Sequence, residues 1–421
     1  MLLLTAWTQP AVRESLRVPS AMVGAAIVGG VSYLSPHTLY LLALFPVLVT
    51  LARSRRGAAA VAWAFFAAPC SQLVGVLERW IERSGQPVGD AGLYGYPLML
   101  SLLLALPFLL VNPAATPARR AAQMAIALVL LTLPPFGLVA WINPVFLAAA
   151  LFPGGGLVWG GLLGLVVLSL LAARPWESSE VVLKLAFAAC LVVVVGAHSL
   201  DSLRRAPLAP PGWYGIDTEH GPGLPSHEAR DFRIALIEAQ AKPYLAFPDT
   251  ALLVFPESLL PDFEDDDHAR LAPFRAALAS SSATALLGVT PKVGEDQWLN
   301  QLLKIGAAGE GVAAESRIPV PVGNWRTGGD GVPLKWLDSG LVTLDGRVAH
   351  LTICYEEFPI WAHLRADRAE VLVSVANQWM LNPAVLTYQE TAIHAVQRLT
   401  RKPLVRATNR LPPPLVSSLS N

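Results

Sequence analysis

The first 200 residues of the chain consist mostly of apolar stretches close to the length that crosses a lipid bilayer. A transmembrane helix needs about 20 consecutive apolar residues. The chain as a whole is 53% hydrophobic and only 15% charged, whereas average soluble domains carry about 25% charged residues. The sequence therefore predicts a multi-span α-helical membrane domain over residues 1–200. Its candidate spans are 20–36, 37–52, 57–77, 96–112, 120–140, 143–173 and 181–199.

The candidate span 143–173 is too long for one simple crossing. It contains the run Pro153-Gly154-Gly155-Gly156, which should break a helix because proline removes a backbone donor and glycine disfavours helix interiors. We expect one crossing plus a re-entrant or interfacial piece here. The sequence predicts about seven spans in total, with six or eight left open.

The distribution of arginine predicts how these spans are oriented. Positively charged residues favour cytoplasmic loops, and arginines lie mostly in alternate connections, namely Arg13, Arg17, Arg53, Arg55, Arg56, Arg119, Arg120 and Arg174. This pattern places the N-terminus in the cytoplasm. Seven spans would then place everything after residue 200 in the periplasm of a bacterium, beyond its inner membrane. The formal net charge of zero gives no reason to expect a nucleic acid partner.

The composition changes after His198. A Pro-rich linker is predicted at 201–213, and the residues that follow it, 214–421, are long enough for one globular domain. Apolar periodicity there predicts an alternation of helices and strands, which is typical of a layered α/β domain. The predicted helices are 231–241, 267–280, 358–368 and 386–400, and the predicted strands are 251–255, 283–290, 298–305, 341–344, 347–353, 371–376 and 403–407.

Two predicted strands end in residues that can carry chemistry. Cys354 follows the strand 347–353, and Glu257 follows the strand 251–255 and a proline. Strand ends hold side chains rigidly at the rim of a site, and a thiol beside a carboxylate base is a typical activated nucleophile. Each residue also has an ordinary interpretation, since free cysteines are often small buried hydrophobes and most glutamates are solvated.

The motifs around these residues resemble the carbon–nitrogen hydrolase (nitrilase) superfamily, and especially its membrane branch that includes apolipoprotein N-acyltransferase. Phe255-Pro256-Glu257 is similar to that branch's Trp-Pro-Glu, and the run Ile353–Glu356 matches its Ile-Cys-Tyr-Glu. Asn300, the run Ala376–Trp379 and the run Arg406–Asn409 also agree in order and spacing. The resemblance implies an α-β-β-α sandwich with Cys354 as nucleophile, Glu257 as general base and Glu356 as an accessory residue.

The chain departs from this family where the catalytic lysine is expected. Ser316 stands at the lysine position, and the following run, Arg317–Val322, is closer to a plasmid-linked branch associated with conjugal transfer. The neighbouring Arg317 is our preferred replacement for the lysine, although a shift of one residue on an extended segment points a side chain to the opposite face. Lys304 and Lys335 are the other candidate cations.

The resemblance implies a cysteine thioester that performs amide hydrolysis or N-acyl transfer, with a membrane lipid or another amide or acyl compound as substrate. It implies no cofactor, and the histidines show no paired metal spacing. Conjugation machinery proteins are possible partners. The missing lysine favours an alternative, in which the domain is a catalytically inactive structural or binding component of a conjugative transfer system.

Overall fold

The computed structural model describes residues 10–84, 89–222, 226–294, 297–307, 309–321, 324 and 331–412. The chain forms two compact units. The helical unit comprises Met1–Ala206, Phe358–Asp367 and Leu381–Arg401, and the sheet unit comprises Pro207–Glu357, Arg368–Met380 and Lys402–Asn421. The chain therefore passes from one unit to the other inside the stretch 201–213, and two later segments return to the helical unit.

The α-helices of the described residues follow one another along the chain. They are α1 (Pro10–Val31), α2 (Leu44–Leu51), α3 (Arg55–Ser71), α4 (Leu73–Ser84), α5 (Asp90–Ala105), α6 (Pro117–Thr132), α7 (Phe136–Val139), α8 (Leu147–Leu151), α9 (Leu157–Ala173), α10 (Val181–Ser202), α11 (His227–Leu245), α12 (Asp265–Arg270), α13 (Ala272–Ser281), α14 (Ile360–His363) and α15 (Pro383–Thr400). Helices α1–α10, α14 and α15 lie in the helical unit, and α11–α13 lie in the sheet unit.

Among the described residues, three helical stretches are long and apolar enough to cross a membrane, namely Arg55–Glu82, Gly92–Leu110 and Val181–Ser202. The third, α10, exposes apolar side chains such as Val182 and Val192, which are 76% and 71% exposed. Large exposed apolar surfaces are unfavourable in water and suit a lipid environment. Shorter apolar helices occur at Leu16–Val31, Thr38–Leu51 and Leu157–Ala173.

The predicted break in the long apolar stretch 143–173 is confirmed. Helix α8 ends at Leu151, and α9 begins at Leu157 after a turn in which Gly154 and Gly156 have φ angles of +74° and +76°. The segments Phe358–Asp367 and Leu381–Arg401 accept hydrogen bonds from this turn. The carboxylate of Asp367 accepts the backbone N–H of Leu157 at 2.8 Å, and the carbonyl of Leu399 accepts the N–H of Gly156 at 2.8 Å.

An aromatic cluster joins the two later segments to the other helices of the same unit. Trp141 packs edge-on against Phe358, with ring centroids 5.6 Å apart, and also contacts Tyr388 of α15. The hydroxyl of Tyr388 donates to the carbonyl of Gly30 at 2.6 Å. Buried aromatic contacts of this kind add to the apolar surface that each ring removes from water.

The sheet unit contains two mixed sheets. Its strands are β1 (Trp213–Gly215), β2 (Leu252–Val254), β3 (Leu260–Phe263), β4 (Thr284–Pro291), β5 (Gln301–Gly306), β6 (Gly309–Glu315), β7 (Leu341–Leu344), β8 (Arg347–Ile353), β9 (Val371–Asn377) and β10 (Leu404–Asn409). One sheet has the order β1-β2-β4-β5-β6, with β3 paired to β4, and the other has the order β10-β9-β8-β7. Strands β1, β2, β3 and β4 pair in parallel, as do β8, β9 and β10.

The two sheets stack on each other through an apolar core. Leu252 and Leu286 of the first sheet belong to one buried cluster with Ile353 and Val373 of the second. The other face of the first sheet packs against helices α11 and α13, with Phe274 fully buried. The sheet unit therefore contains one helical layer and two sheets. These are three of the four layers of the predicted α-β-β-α sandwich.

Most predicted elements of this half occur in the structure, and the exception is the helix predicted at 358–368. Only Ile360–His363 is α-helical, followed by a short 3-10 turn at Ala366–Arg368. Pro359 precedes the helix, and Asp367 uses its side chain to bind the start of α9. Strands β1, β3 and β6 were not predicted from the sequence.

Candidate active site

Cys354 stands at the end of β8, where the backbone turns sharply into a 3-10 turn formed by Cys354–Glu357. Its φ angle is +55°. A side chain in this left-handed region is strained, at a cost of about 1 kcal/mol or more, and such strain is common at functional sites. The preceding residue Ile353 is buried between the sheets, whereas Cys354 is only partly buried. The turn thus presents the thiol at the rim of the sheet.

Glu257 lies three residues beyond the end of β2 and is 4% exposed. Its position requires a glycine on the neighbouring strand β4. A Cβ atom at Gly288 would lie 2.2 Å from the carbonyl oxygen of Pro256 and 2.6 Å from the Cα of Glu257. The absence of a side chain at Gly288 therefore lets the loop that carries Glu257 lie directly against β4.

Three donors bind the Glu257 carboxylate. The side-chain amide of Asn300 donates to Oε1 at 2.5 Å, and the backbone N–H of Asn377 donates to Oε2 at 2.8 Å. The third donor is the thiol of Cys354. The N–H of Asn377 also hydrogen-bonds Cys354, so the end of β9 contacts both members of the pair. The structure brings together the glutamate and the cysteine that the sequence singled out.

Burial and mutual charge control the protonation of this pair. Burial raises the pKa of Glu257, and its hydrogen bonds with Cys354, Asn300 and Asn377 oppose that rise. Burial also raises the pKa of the Cys354 thiol, and the negative charge of Glu257 and the hydrogen bond to it raise that pKa further. The raised pKa of the thiol favours its protonated form, and the raised pKa of Glu257 makes its carboxylate more basic, which suits proton transfer from sulfur to oxygen.

The segment that aligns with the family's lysine motif lies beside this pair. Ser316 is 3% exposed, and its backbone N–H donates to the carbonyl of Asn300 at 2.7 Å. Its hydroxyl donates to Oε1 of Glu356 at 3.4 Å. Ser316 is thus in direct contact with Asn300, whose side chain binds Glu257. Asn300 and Asn377 belong to motifs of the sequence, but their contacts with the glutamate were not predicted from it.

Arg317 and Glu356 form a buried ion pair. Nη2 of Arg317 lies 2.8 Å from Oε2 of Glu356, and the two side chains are 6% and 1% exposed. The Nη2 atom also donates to the carbonyl of Leu351 at 3.1 Å. The guanidinium packs against Gly340, whose φ angle is +65°. The positive charge of Arg317 is therefore compensated by Glu356.

A second buried ion pair supports the turn after Cys354. Glu357 is fully buried and accepts two hydrogen bonds from the guanidinium of Arg406 on β10, both at 2.9 Å. It also accepts from the hydroxyl of Ser374 on β9. A bidentate arginine–carboxylate pair is geometrically specific. Glu357 therefore ties the cysteine turn to the two strands that follow it in the sheet.

The other candidate cations have ordinary environments. Lys335 forms an ion pair with Glu315, and Lys304 is an exposed residue of β5. Within the described ranges, no group of three or more histidine, cysteine, aspartate or glutamate side chains is arranged to hold a metal ion.

A buried glutamate that binds a cysteine across two stacked mixed sheets is the arrangement predicted by the resemblance to the carbon–nitrogen hydrolase superfamily. Two curated relatives cover nearly the whole chain. The conjugal transfer protein TraB of Agrobacterium fabrum strain C58 is 27% identical over 93% of this chain and 91% of its own length. The probable conjugal transfer protein TraB of Sinorhizobium fredii strain NGR234 is 29% identical over 94% of this chain and 97% of its own length. The predicted resemblance to the conjugal-transfer branch is confirmed.

Solved structures with similarity to this chain include carbon–nitrogen hydrolases. An amidase of the nitrilase superfamily from Nesterenkonia is 16% identical, covers 48% of this chain and 79% of its own, and has a TM-score of 0.35. A carbon–nitrogen hydrolase from Helicobacter pylori G27 is 18% identical, covers 47% of this chain and 73% of its own, and has a TM-score of 0.34. No family model matches the chain.

Proposed function

We propose that this chain is a membrane-anchored, nitrilase-like enzyme in which Cys354 forms an acyl thioester. The reaction is amide hydrolysis or N-acyl transfer. The observation that carries the proposal is the hydrogen bond between the thiol of Cys354 and the buried carboxylate of Glu257. A nucleophile in contact with a base that is itself held by other groups is the general arrangement of nucleophilic catalysis, and Asn300 and Asn377 hold this base.

Each proton in the reaction has a place in this geometry. Glu257 accepts the thiol proton as the sulfur of Cys354 attacks the carbonyl carbon of the substrate. When the tetrahedral intermediate collapses, the C–N bond breaks and the proton on Glu257 passes to the leaving amine. Water or an acceptor amine then attacks the thioester, with Glu257 acting again as base, and the thiol is restored.

In this proposal, Glu356 and Arg317 are positioning residues. One oxygen of Glu356 accepts the backbone N–H of Ile318 at 3.1 Å, and the other accepts that of Ile353 at 3.3 Å. A single carboxylate thus joins the segment that contains Ser316 to the strand that ends in Cys354. Because Glu356 compensates the charge of Arg317, we assign that guanidinium to holding this junction rather than to the role of the family's lysine.

We further propose that the chain works with conjugation machinery at the bacterial inner membrane. The names of the two relatives support a role with conjugation machinery. Three helices in the described part of the chain are long and apolar enough to cross a membrane, which supports the membrane location. Residues 1–200 would form about seven spans, and residues 201–213 would link them to the catalytic residues 214–421. The arginine pattern predicts a cytoplasmic N-terminus and a periplasmic catalytic domain.

Trapping the thioester tests the proposed chemistry. Full-length protein in detergent or lipid nanodiscs is incubated with phospholipid and amide acyl donors, and its intact mass is measured. We expect an added acyl mass on the wild type and none on Cys354→Ala. Cys190→Ala is the matched control, because it removes a thiol outside the site and should keep the adduct. A complete lack of adduct across a broad donor panel would contradict the proposal.

Ser316 at the lysine position favours a second candidate function, a catalytically inactive component of a conjugative transfer system. Loss of one oxyanion donor can remove about 2.7–4 kcal/mol of transition-state stabilisation. Plasmid transfer by cells that carry the Glu257→Ala, Cys354→Ala double variant separates the two functions. Full transfer would support the inactive component, whereas loss of transfer at a normal protein level would support the enzyme.

A further inference from the structure

Among the residues that the structure describes, the buried charges around Cys354 do not balance when Glu257 is ionised. Three carboxylates, Glu257, Glu356 and Glu357, belong to the turn that starts at Cys354 or bind its thiol, and all are at most 4% exposed. Glu356 is paired with Arg317, and Glu357 is paired with Arg406. The described groups that bind Glu257 are an amide, a backbone N–H and a thiol, none of which is charged. When Glu257 is ionised and the thiol is protonated, the described groups of this constellation carry one uncompensated negative charge, and a buried charge of this kind is costly.

A second observation at the same place points to a missing donor. The Asn300 side chain donates through Nδ2 to Glu257, and the carboxylate fixes this orientation because it can only accept. The other atom of the amide, Oδ1, is then a buried acceptor, and no described residue donates to it. Asn300 is 5% exposed. Most buried polar atoms in proteins are hydrogen-bonded, so an orphaned acceptor beside an unpaired carboxylate indicates a place for an N–H donor.

Ser316 explains why the donor is missing. It contacts the backbone of Asn300 and lies at the position of the family's lysine, but its hydroxyl donates to Glu356. The serine side chain has three heavy atoms fewer than a lysine side chain and carries no charge, so it does not replace an ammonium beside Glu257. Among the described residues, the chain therefore supplies two acceptors and no cation at this point.

We propose that the substrate supplies this cation: the acyl donor carries a protonated amine close to its reacting carbonyl. The amine donates to Oδ1 of Asn300 and to the carboxylate of Glu257. It thus occupies the place of a lysine ammonium, which Ser316 does not supply. The inference rests on the proposed function and specifies its substrate class. Neutral amides lack the group that this site requires.

The chemistry needs no further reactant. The sulfur of Cys354 forms a bond to the carbonyl carbon, and the C–N bond to the leaving amine breaks. The thiol proton reaches that amine through Glu257. The substrate's own ammonium is neither consumed nor deprotonated, and its positive charge stabilises the oxyanion through space, as preorganised cations do in other acyl-transfer sites.

Two donors of nearly equal shape test the proposal on the full-length protein in lipid nanodiscs. Glycine p-nitroanilide and propionic acid p-nitroanilide differ in an ammonium and a methyl group, and the former is largely protonated at pH 7. Release of p-nitroaniline under single-turnover conditions reports acylation. We expect the wild type to react with the glycyl donor at least about tenfold faster than with the propionyl donor.

Substitution of Ser316 provides the matched comparison. Ser316→Lys restores an internal cation, so we expect it to accelerate the propionyl donor and to remove or reverse the preference. Ser316→Met has a similar length without the charge and should keep the wild-type preference. Addition of methylammonium should accelerate the propionyl donor in the wild type, which tests the same point without any variant.

The outcomes separate this inference from the proposed function. Acylation of Cys354 at equal rates by both donors, with no effect of methylammonium, would overturn the inference and leave the enzyme standing. Lack of acylation by either donor, in the wild type and in Ser316→Lys, would overturn both. A glycyl preference that survives in Cys354→Ala would show that the selected reaction occurs elsewhere and would also overturn the inference.

Discussion

The guanidinium of Arg317 is bound by the carboxylate of Glu356, with Nη2 2.8 Å from Oε2, in a place where both side chains are almost completely buried. The same carboxylate accepts backbone N–H groups of Ile318 and Ile353. The residue next to the lysine position is therefore a structural partner of the cysteine strand. The ion pair therefore fixes the backbone around the thiol. Arg317 does not take the place of the family's lysine, and Ser316 occupies that position.

Removal of one partner of this pair should be strongly destabilising. Glu356→Gln leaves the Arg317 guanidinium buried without a counter-charge, and breaking a buried pair costs about 3–5 kcal/mol. Glu370→Gln is the control, since its pair with Arg347 is exposed and should contribute less than about 1 kcal/mol. Thermal unfolding of the full-length variants in detergent checks the difference. Equal and small shifts for both variants would show that Glu356 does not hold the junction.

The pH dependence of thiol alkylation should report the influence of Glu257 on Cys354. Burial and the nearby carboxylate raise the pKa of the thiol, so its thiolate fraction at neutral pH lies below that of a free cysteine. The iodoacetamide rate at Cys354, followed by peptide mapping, should therefore keep rising above pH about 8.5. Glu257→Gln removes the negative charge, and the midpoint should move to lower pH. A rate plateau at acidic pH in the wild type would indicate a resident thiolate and contradict this description.

Gly288→Ala should displace Glu257 without changing its side chain. The new Cβ would meet the backbone of Pro256 and Glu257, and backbone atoms cannot move aside as flexible side chains do. We expect a loss of stability of about 1–3 kcal/mol and a fall in Cys354 acylation. Gly311→Ala on β6 is the control, because nothing lies within 4 Å of its Cβ. Acylation measured per folded molecule must fall only in the first variant.

Asp367 should stabilise the helical unit through the start of α9. Its carboxylate accepts the backbone N–H groups of Leu157 and Val158. Asp367→Ala leaves these donors unsatisfied, and loss of such a cap costs about 1 kcal/mol. Asp367→Asn keeps an oxygen acceptor but loses the favourable charge at a helix N-terminus, so its effect should be smaller. The melting temperature of Asp367→Asn should lie below that of the wild type, and that of Asp367→Ala should be lower still.

The elements that the sequence predicted well are those with strong local signals. The hairpin at 341–344 and 347–353 has the predicted bounds because Asp345-Gly346 supplies the positive φ angles of a tight turn between two apolar runs. The break at Pro153 follows from proline and glycine in the same way. Strand β6, by contrast, is rich in glycine and half exposed, so its sequence is typical of a loop. It is a strand because it pairs with β5.

The candidate site was only partly predictable for a related reason. Strand-end position and motif order identify Cys354 and Glu257, but the partners of Glu257 come from β9 and from the residue before β5. Those contacts depend on how the strands pair and how the two sheets stack, which no local pattern encodes. The pairing of Arg317 with Glu356 is likewise a tertiary outcome. The side of an extended segment to which Arg317 points could not be decided from its neighbours.

The central claim is that Glu257 activates Cys354 as a nucleophile, and single-turnover acylation of Glu257→Gln tests it most directly. The full-length wild type and Glu257→Gln are mixed with an acyl donor at pH 7, quenched at intervals and digested, and the acylated Cys354 peptide is quantified. Removal of a general base should slow acylation by about 10²–10⁴-fold. Acylation of Glu257→Gln at the wild-type rate, or acyl groups found only at Cys70 or Cys190, would contradict the account.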